Sequence, residues 1–375
     1  MSLERIKKII NNDNFNNIDA LLLTKPENIT YVLGFSIESE TSILIPNINP
    51  KNLDKKIMVF LNMLEYDQVS DKIMQDKTLY KHIELFKMDS NNRSILKDKI
   101  NDFNIKSLGF EDNHITVKSF KDLNQQFNEV NLLGASEIID DARLIKTKRE
   151  IKNIERAAEI GIIGFKTIFE CIEEGKTEKE LAAEAEYEMR KFGSDGTSFD
   201  TIIASGNHSA FPHAKTSDKP VKKGDLIIVD LGAKYNGYCS DMTRTFIFKG
   251  NNSQNFEKKV ELLNLVNECE EFILENIMVD KKAADLDKLA RDFFINKKVE
   301  WSSRFIHSLG HGVGIDIHES PYLAPGSNDV LKEGMCITIE PGLYLPKLGG
   351  ARTEDLIIVK KNGYISLTNL DKCYY

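Results

Sequence analysis

The chain has 375 residues, 41% of them hydrophobic and 29% charged, with a formal net charge of −8. That length suggests two domains with enough apolar material for a sizeable core. The acidic balance argues against a nucleic-acid footprint, which is basic, and no run approaches the roughly 18 apolar residues of a membrane helix.

Residues 1–10 alternate charged and apolar side chains at helical spacing and lack the apolar stretch of a signal peptide. Short apolar runs at 19–23, 42–45 and 56–61 read as strands. Residues 28–33 read as a helical turn stopped by Gly34. Further strands are expected at 83–86 and 108–110, and this alternation predicts a small α/β domain. Beyond residue 140 the character changes. A long helix is expected over 146–173, closed by Gly175. Thr177-Glu-Lys-Glu180 has the pattern of a capping box and opens a second helix running to about Phe192, where Gly193 stops it. Strands at 201–204 and 225–230 follow, then helices over 255–277 and 283–298, and the last 75 residues read as strand and turn. The boundary falls within 135–145, giving domains 1–138 and 139–375. The five cysteines (Cys171, Cys239, Cys269, Cys336, Cys373) are scattered and form no CxxC. They read as small buried side chains in a reducing, cytoplasmic compartment.

A weak internal repeat lies in the second domain. Gly224-Asp-Leu-Ile-Ile-Val-Asp230-Leu-Gly232 resembles Gly334-Met-Cys-Ile-Thr-Ile-Glu340-Pro-Gly342, and each is followed 11 to 14 residues on by a second carboxylate, Asp241 and Glu354. Asn236-Gly237 between apolar strands signals a two-residue type I′ hairpin. Tyr235 then faces Tyr238, Asp230 faces Thr243 and Asp241 faces Gly232. The two aspartates become diagonal neighbours on one face, about 7–8 Å apart at Cα. Alone, such a pair fits two solvated hairpin acids equally well. Glu340 and Glu354 follow the same logic with a looser register, because 341–351 reads as a longer loop. Four acids at strand ends in two matched hairpins suggest a pseudo-symmetric domain whose acids meet at its centre, where they repel unless a cation sits among them.

Five of the seven histidines fall between 208 and 318. His82, His114 and His208 read as ordinary core or surface residues. His311 is bracketed by Gly310, Gly312 and Gly314, which would let backbone approach a bound group, and it supplies the one nitrogen an acid-rich site would want. Four carboxylates would be neutralised by two divalent cations. Such a donor set favours Mn²⁺, Co²⁺, Mg²⁺ or Zn²⁺ over soft metals.

These motifs are Asp230-Leu-Gly, Asp241-Met-Thr-Arg-Thr, Gly310-His-Gly-Val-Gly, Thr338-Ile-Glu340-Pro-Gly and Arg352-Thr-Glu354-Asp. Together they resemble the pita-bread metallopeptidases, the superfamily of methionine aminopeptidase, aminopeptidase P and prolidase. The first third resembles a creatinase-type N-terminal domain through Asn28-Ile-Thr-Tyr31-Val-Leu-Gly-Phe35, which favours the proline-specific branch. The resemblance implies an α+β architecture, a creatinase-like α/β domain followed by the pseudo-symmetric catalytic one. It implies a dinuclear exopeptidase cleaving the Xaa-Pro bond of dipeptides or of short peptides with proline second, by attack of a metal-bridging hydroxide. Asp230, Asp241, His311, Glu340 and Glu354 would be the ligands of two ions, Mn²⁺ or Co²⁺ with Zn²⁺ as a further candidate. His213 and His318 would steady the intermediate and protonate the leaving nitrogen. Glu340 would double as proton shuttle and Arg352 would support the carboxylates. His307 and Tyr322 would lie near substrate, and the chain would be a homodimer with no nucleic-acid or membrane partner.

Two positions depart from that family. Tyr322 stands where many prolidases carry Arg to help hold a dipeptide carboxylate, which favours aminopeptidase P, and Thr353 stands where Ile is usual. Competing readings are an exopeptidase of the same fold without proline specificity and a non-catalytic binding protein on a retired pita-bread domain. Retired relatives lose ligands, so the presence of all five opposes the last.

Overall fold

A computed structural model describes residues 3–47, 57–88, 94–250 and 253–372. Lys56 at the edge of an expected strand, and Cys373, lie outside them. The chain divides into two compact units, residues 1–143 and 144–375.

The first unit holds six strands, β1 (Ala20–Leu23), β2 (Thr41–Pro46), β3 (Ile57–Asn62), β4 (Ile83–Met88), β5 (Ser107–Phe110) and β6 (Asn131–Gly134), in one sheet of order β4-β3-β2-β1-β5-β6. Its β1–β2 and β2–β3 pairs are antiparallel and the others parallel. The helices of this unit are α1 (Leu3–Ile10), α2 (Pro26–Leu33), α3 (Met63–Gln75), α4 (Lys77–His82), α5 (Ile95–Asp102), α6 (Val117–Gln126) and α7 (Ser136–Leu144). Gly34 ends α2 in the left-handed region at φ 86°, as its position after the apolar run predicts. Helices α3 to α7 and strand β6 are additions to the sequence reading. The run 28–33 extends two residues further back, because Pro26 sits at the helix N-terminus, where its missing N–H costs nothing.

In the second unit, the helix expected from 146 instead starts at Lys148, and α8 runs Lys148–Cys171. Thr147 caps it, and Glu150 returns a side-chain bond to the Thr147 N–H, closing a capping box. The same device at Thr177 and Glu180 opens α9 (Glu178–Lys191). Strands β7 (Gly196–Thr197), β8 (Ile202–Ser205), β9 (Leu226–Leu231), β10 (Ala233–Tyr235), β11 (Tyr238–Cys239) and β12 (Met242–Ile247) follow, then α10 (Phe256–Glu275), α11 (Ala283–Lys297) and α12 (Val299–Ser302). The C-terminal strands are β13 (Gly310–Gly312), β14 (Glu319–Leu323), β15 (Cys336–Ile339), β16 (Gly342–Leu345), β17 (Gly349–Arg352), β18 (Asp355–Lys360) and β19 (Gly363–Ser366).

This unit has two halves. In the first, α8 and α9 bury Ile160, Phe165 and Leu181 against Val229, Met242 and Phe246 of the β12-β9-β8 sheet. In the second, α10 and α11 bury Leu262, Val266 and Phe294 against Ile337, Ile339 and Ile357 of the β14-β13-β15-β18-β19 sheet. Each strand face turned to the helices is apolar, so burial fixes the register.

The first hairpin has the expected register. Asn236 and Gly237 both have positive φ, 49° and 79°, Tyr235 pairs with Tyr238, and Asp230 pairs with Thr243. The second differs from the expectation of a long loop, because 342–352 is itself a hairpin in which Gly342 pairs with Arg352. Ile339 pairs with Asp355, so that register places Glu340 opposite Glu354. The repeat is therefore offset from the simple match of second acids. Gly232 and Gly342 correspond, the partner of Gly232 is Asp241, and the partner of Gly342 is Arg352. Thr243 is then the counterpart of Glu354. These two counterparts meet where the halves join, with the Glu354 N–H donating to the Thr243 carbonyl at 3.0 Å.

Among the described residues Cys171, Cys239, Cys269 and Cys336 are all unpaired thiols, three of them buried. No helix of the described residues is long and apolar enough to cross a membrane.

Candidate metal centre

Five side chains from both halves converge at the strand ends. Asp230 lies near the end of β9, Asp241 just before β12, His311 in β13, Glu340 just after β15 and Glu354 just before β18. One ligand atom each of Asp241, His311 and Glu354 lies within 4.8 Å of the others. His311 Nε2 is 3.3 Å from Glu340 Oε1 and 3.6 Å from Asp241 Oδ2. Asp230, Asp241, His311 and Glu354 are all buried.

The electrostatics of this cluster are unfavourable as it stands. Burial, with Glu354, Asp230 and Glu340 nearby, pushes the Asp241 carboxyl well above its ordinary range. Burial, with Glu340 and Asp230 nearby, does likewise to Glu354. Glu340 is pushed up to about 8, by burial first and by Asp230. His311 donates its Nδ1 proton to the Gly312 carbonyl at 3.1 Å, leaving Nε2 as a lone-pair nitrogen aimed at two carboxylates. Burial, then His318, lowers its pKa to about 4, so it is neutral at physiological pH. Asp230 Oδ1 and Asp241 Oδ1 are buried and have no hydrogen-bond partner among the described residues. A bare imidazole nitrogen, unpartnered carboxylate oxygens and mutually repelling acids fit a cation bound among them. A donor set of one nitrogen and four carboxylates suits divalent ions of intermediate hardness.

Arg352 ties the acids to the rest of the cleft. Its Nη2 donates to Asp230 Oδ2 at 2.6 Å, its Nη1 to the Tyr344 hydroxyl at 2.6 Å, and its Nε to Thr243 Oγ1 at 3.2 Å. Burial alone would depress its pKa, but Tyr344 and the surrounding acids raise it further. Tyr344 in turn donates to His307 Nε2 at 3.0 Å, because His307 Nδ1 already donates to the Ser308 carbonyl at 2.8 Å. Burial, followed by the Arg352 charge, lowers His307 to about 3, and burial pushes the Tyr344 hydroxyl up to about 12. Thr243 Oγ1 donates to Glu354 Oε2 at 2.7 Å. Tyr344 and Thr243 are additions to the sequence reading. Thr243 was legible only as the residue opposite Asp230, and Tyr344 lay in the stretch read as a loop.

A cleft of about 840 Å³ is lined by all five candidate ligands and by His213, His307, His318, Tyr322 and Arg352. His213 and His318 are exposed on its wall, and the His318 ring packs on that of His311 with centroids 4.3 Å apart. Tyr322, 45% exposed, pairs across the ladder with His311. His208 is set apart, bound to the buried Glu178.

The glycines around His311 have a different purpose from the one expected. A Cβ on Gly310 would lie 2.1 Å from the Thr338 carbonyl oxygen, and one on Gly312 2.3 Å from that of Ser320. One on Gly314 would lie 2.4 Å from Glu319 Oε1. They let the chain approach itself, so β13 can sit between β14 and β15, rather than opening space for a bound group.

Comparison with known proteins settles the family. Residues 152–361 match the model of metallopeptidase family M24, and residues 4–145 match the creatinase/prolidase N-terminal domain. The chain belongs to metallopeptidase family M24. As an M24 protein it is a metal-dependent hydrolase with a creatinase-type domain ahead of a pita-bread catalytic domain. It is 37% identical to an Xaa-Pro dipeptidase of Pyrococcus furiosus over 98% of this chain and 99% of that one. Its fold superposes on an Xaa-Pro dipeptidase from Bacillus anthracis with a TM-score of 0.88 and 32% identity, covering 99% of this chain and 98% of that one. An X-Pro aminopeptidase from Thermotoga maritima gives 0.85 and 31%, covering 98% of each chain.

Proposed function

We propose that this M24 enzyme hydrolyses the Xaa-Pro bond at the N-terminus of short peptides or in dipeptides, using two divalent ions held by Asp230, Asp241, His311, Glu340 and Glu354. The observation that carries the proposal is the buried lone-pair nitrogen of His311 facing Asp241 and Glu340, beside oxygens of Asp230 and Asp241 that have no hydrogen-bond partner among the described residues. Its relatives include an Xaa-Pro dipeptidase and an X-Pro aminopeptidase over nearly their full lengths. Mn²⁺ or Co²⁺ suits this donor set best, with Zn²⁺ a further candidate.

When bound, such ions polarise the scissile carbonyl and lower the pKa of attacking water toward neutrality. The protein's own groups do the rest. Arg352 holds Asp230 in one orientation, and Thr243 does the same for Glu354. Glu340 is the acid most open to the cleft, its side chain 17% exposed against 6% for Asp241. It is placed to accept a proton from water and return it. His213 and His318, on the cleft wall, donate to the oxygen that gains charge and to the departing prolyl nitrogen. A peptide bond to proline is a tertiary amide with no N–H, so recognition falls on the ring and the preceding carbonyl. The unpaired thiols suit a reducing, cytoplasmic setting, and the family resemblance implies a homodimer.

The test is reconstitution. Protein stripped by chelator, then loaded with Mn²⁺ or Co²⁺, should cleave Ala-Pro and Ala-Pro-Gly at the bond before proline and leave Ala-Ala largely intact. Metal-loaded protein that cleaves none of them would overturn the proposal, and equal cleavage of Ala-Ala would remove the proline specificity.

A further inference from the structure

We propose that Lys215 binds the free carboxylate of an Xaa-Pro dipeptide and so makes the site selective for dipeptides; this rests on the Xaa-Pro reading above. A dipeptide brings its carboxylate into the cleft on the residue next to the scissile bond. The two ions proposed for the metal centre offset its four acids, which leaves Glu186 and Asp200 as the uncompensated acids lining the cleft. Low-dielectric walls focus their field, so a carboxylate enters only where a cation meets it.

Three cationic side chains line the cleft, Lys179, Lys215 and Arg352. Arg352 is committed to Asp230, Tyr344 and Thr243. Lys179 Nζ is 3.0 Å from Asp218 Oδ2, with its side chain 57% exposed. Lys215 has neither an ion pair nor a hydrogen bond among the described residues, and it is the cation in the cleft left for a ligand.

Its backbone is fixed relative to the acids. Thr216 Oγ1 donates to the Thr201 carbonyl at 2.6 Å and accepts from the Ile203 N–H at 2.8 Å. On the other side Ala214 is buried with Ala204, Ile228 and Tyr344. With Ala214 turned inward and Thr216 pinned, His213 and Lys215 are the exposed members of the alternation, and both line the cleft. The pinning strand β8 pairs with β9, Ile203 opposite Val229 and Ile202 opposite Asp230. Lys215 is thus anchored about two strand spacings, or about 10 Å, from the strand that carries Asp230. A lysine side chain and a single prolyl residue together span that gap. In a longer peptide the carboxylate lies at least one residue, about 3.5 Å, farther out, and the match is lost.

The experiment compares wild type, K215M, K215R and K215E, all Mn²⁺-loaded, on Ala-Pro and its neutral amide. A circular dichroism melt confirms that each variant is folded. K215M should lower the kcat/KM preference for the free acid by about tenfold or more, chiefly through KM. K215E should lower it further, and K215R should restore most of it. A preference that K215M leaves unchanged would overturn the proposal. The products supply an independent reading, because proline and prolinamide are not hydrolysed and their binding can be followed by ligand-observed NMR. Loss of the preference for proline in K215M supports the carboxylate site even if wild type cleaves neither peptide, in which case the Xaa-Pro reading alone fails. Cleavage by wild type with both preferences unmoved in K215M rejects the carboxylate site and leaves the Xaa-Pro reading standing.

Discussion

Asp241, Glu340 and Glu354 are acids whose pKa values rise on folding, and that has a consequence for metal binding. An acid with a raised folded pKa binds more protons folded than unfolded, so its contribution to stability is fully present below the unfolded value and lost as pH rises through the folded one. For Glu340 that window runs from its ordinary 4.5 to about 8. The metal-free protein therefore loses this contribution across the window, whereas metal binding requires the acids deprotonated and displaces their protons. The gap in Tm between metal-loaded and metal-free protein should widen from pH 5 to pH 8, and titration with Mn²⁺ in weak buffer should release protons. A gap that narrows over this range would contradict the raised acids. Tyr344 supplies a second prediction at the same scale. Tyr344→Phe leaves Arg352 Nη1 and His307 Nε2 each without a partner they now have. It should weaken metal binding roughly 10- to 100-fold, as loss of a group that orients a ligand does, and cost about 1–3 kcal/mol of stability. Metal titration and denaturant unfolding read the two effects separately.

At the scale of elements, the approach of β13 to β15 depends on Gly310. Gly310→Ala would press a methyl against the Thr338 carbonyl at 2.1 Å, displacing the strand that carries His311. A loss of about 1–3 kcal/mol or more is expected, together with reduced metal content, and a variant with wild-type Tm and metal content would contradict it. The same elements show what could be read without coordinates. The register of the first hairpin followed from Asn236-Gly237, because that turn allows few geometries, and Asp230 and Asp241 followed with it. The second hairpin was hidden, since Lys347 and Gly349 turn it with positive φ but no Asn-Gly marks it, and 342–352 read as a loop. The function of Gly310, Gly312 and Gly314 was likewise hidden, because the carbonyls they avoid belong to other strands. Thr147-Lys-Arg-Glu150 repeats the pattern that located α9, yet the helical spacing ahead of it masked the start of α8. Helices α3 to α7 went unread because each spans 13 residues or fewer and they lie among short strand signals.

Across the second unit as a whole, a buried polar network secures the chain behind the acids. Arg244, 1% exposed, donates to Asp355 Oδ1 at 2.6 Å and to the carbonyls of Glu354 and Thr368 at 2.6 and 2.7 Å. Lys372 reaches Glu270 and lies 3.6 Å from Asp355. Burial alone would raise the Asp355 pKa, but Arg244 and Lys372 hold it below its ordinary value. Arg244→Met would leave buried Asp355 with only the Thr368 hydroxyl and the more distant Lys372, and removing one member of a buried pair typically costs about 3–5 kcal/mol. Equilibrium unfolding should show a loss of that size, and a loss near zero would mean that the network contributes nothing net. None of these partners could be inferred from spacing, since Arg244 and Asp355 are 111 residues apart.

The five converging side chains are the centre of the account, and metal content tests them most directly. Protein dialysed against Mn²⁺ and measured by inductively coupled plasma mass spectrometry should hold two ions per chain, and Glu354→Ala should hold fewer and lose hydrolysis of Ala-Pro. A wild type that retains no metal, or a Glu354→Ala protein that keeps two ions and full activity, would contradict the assignment.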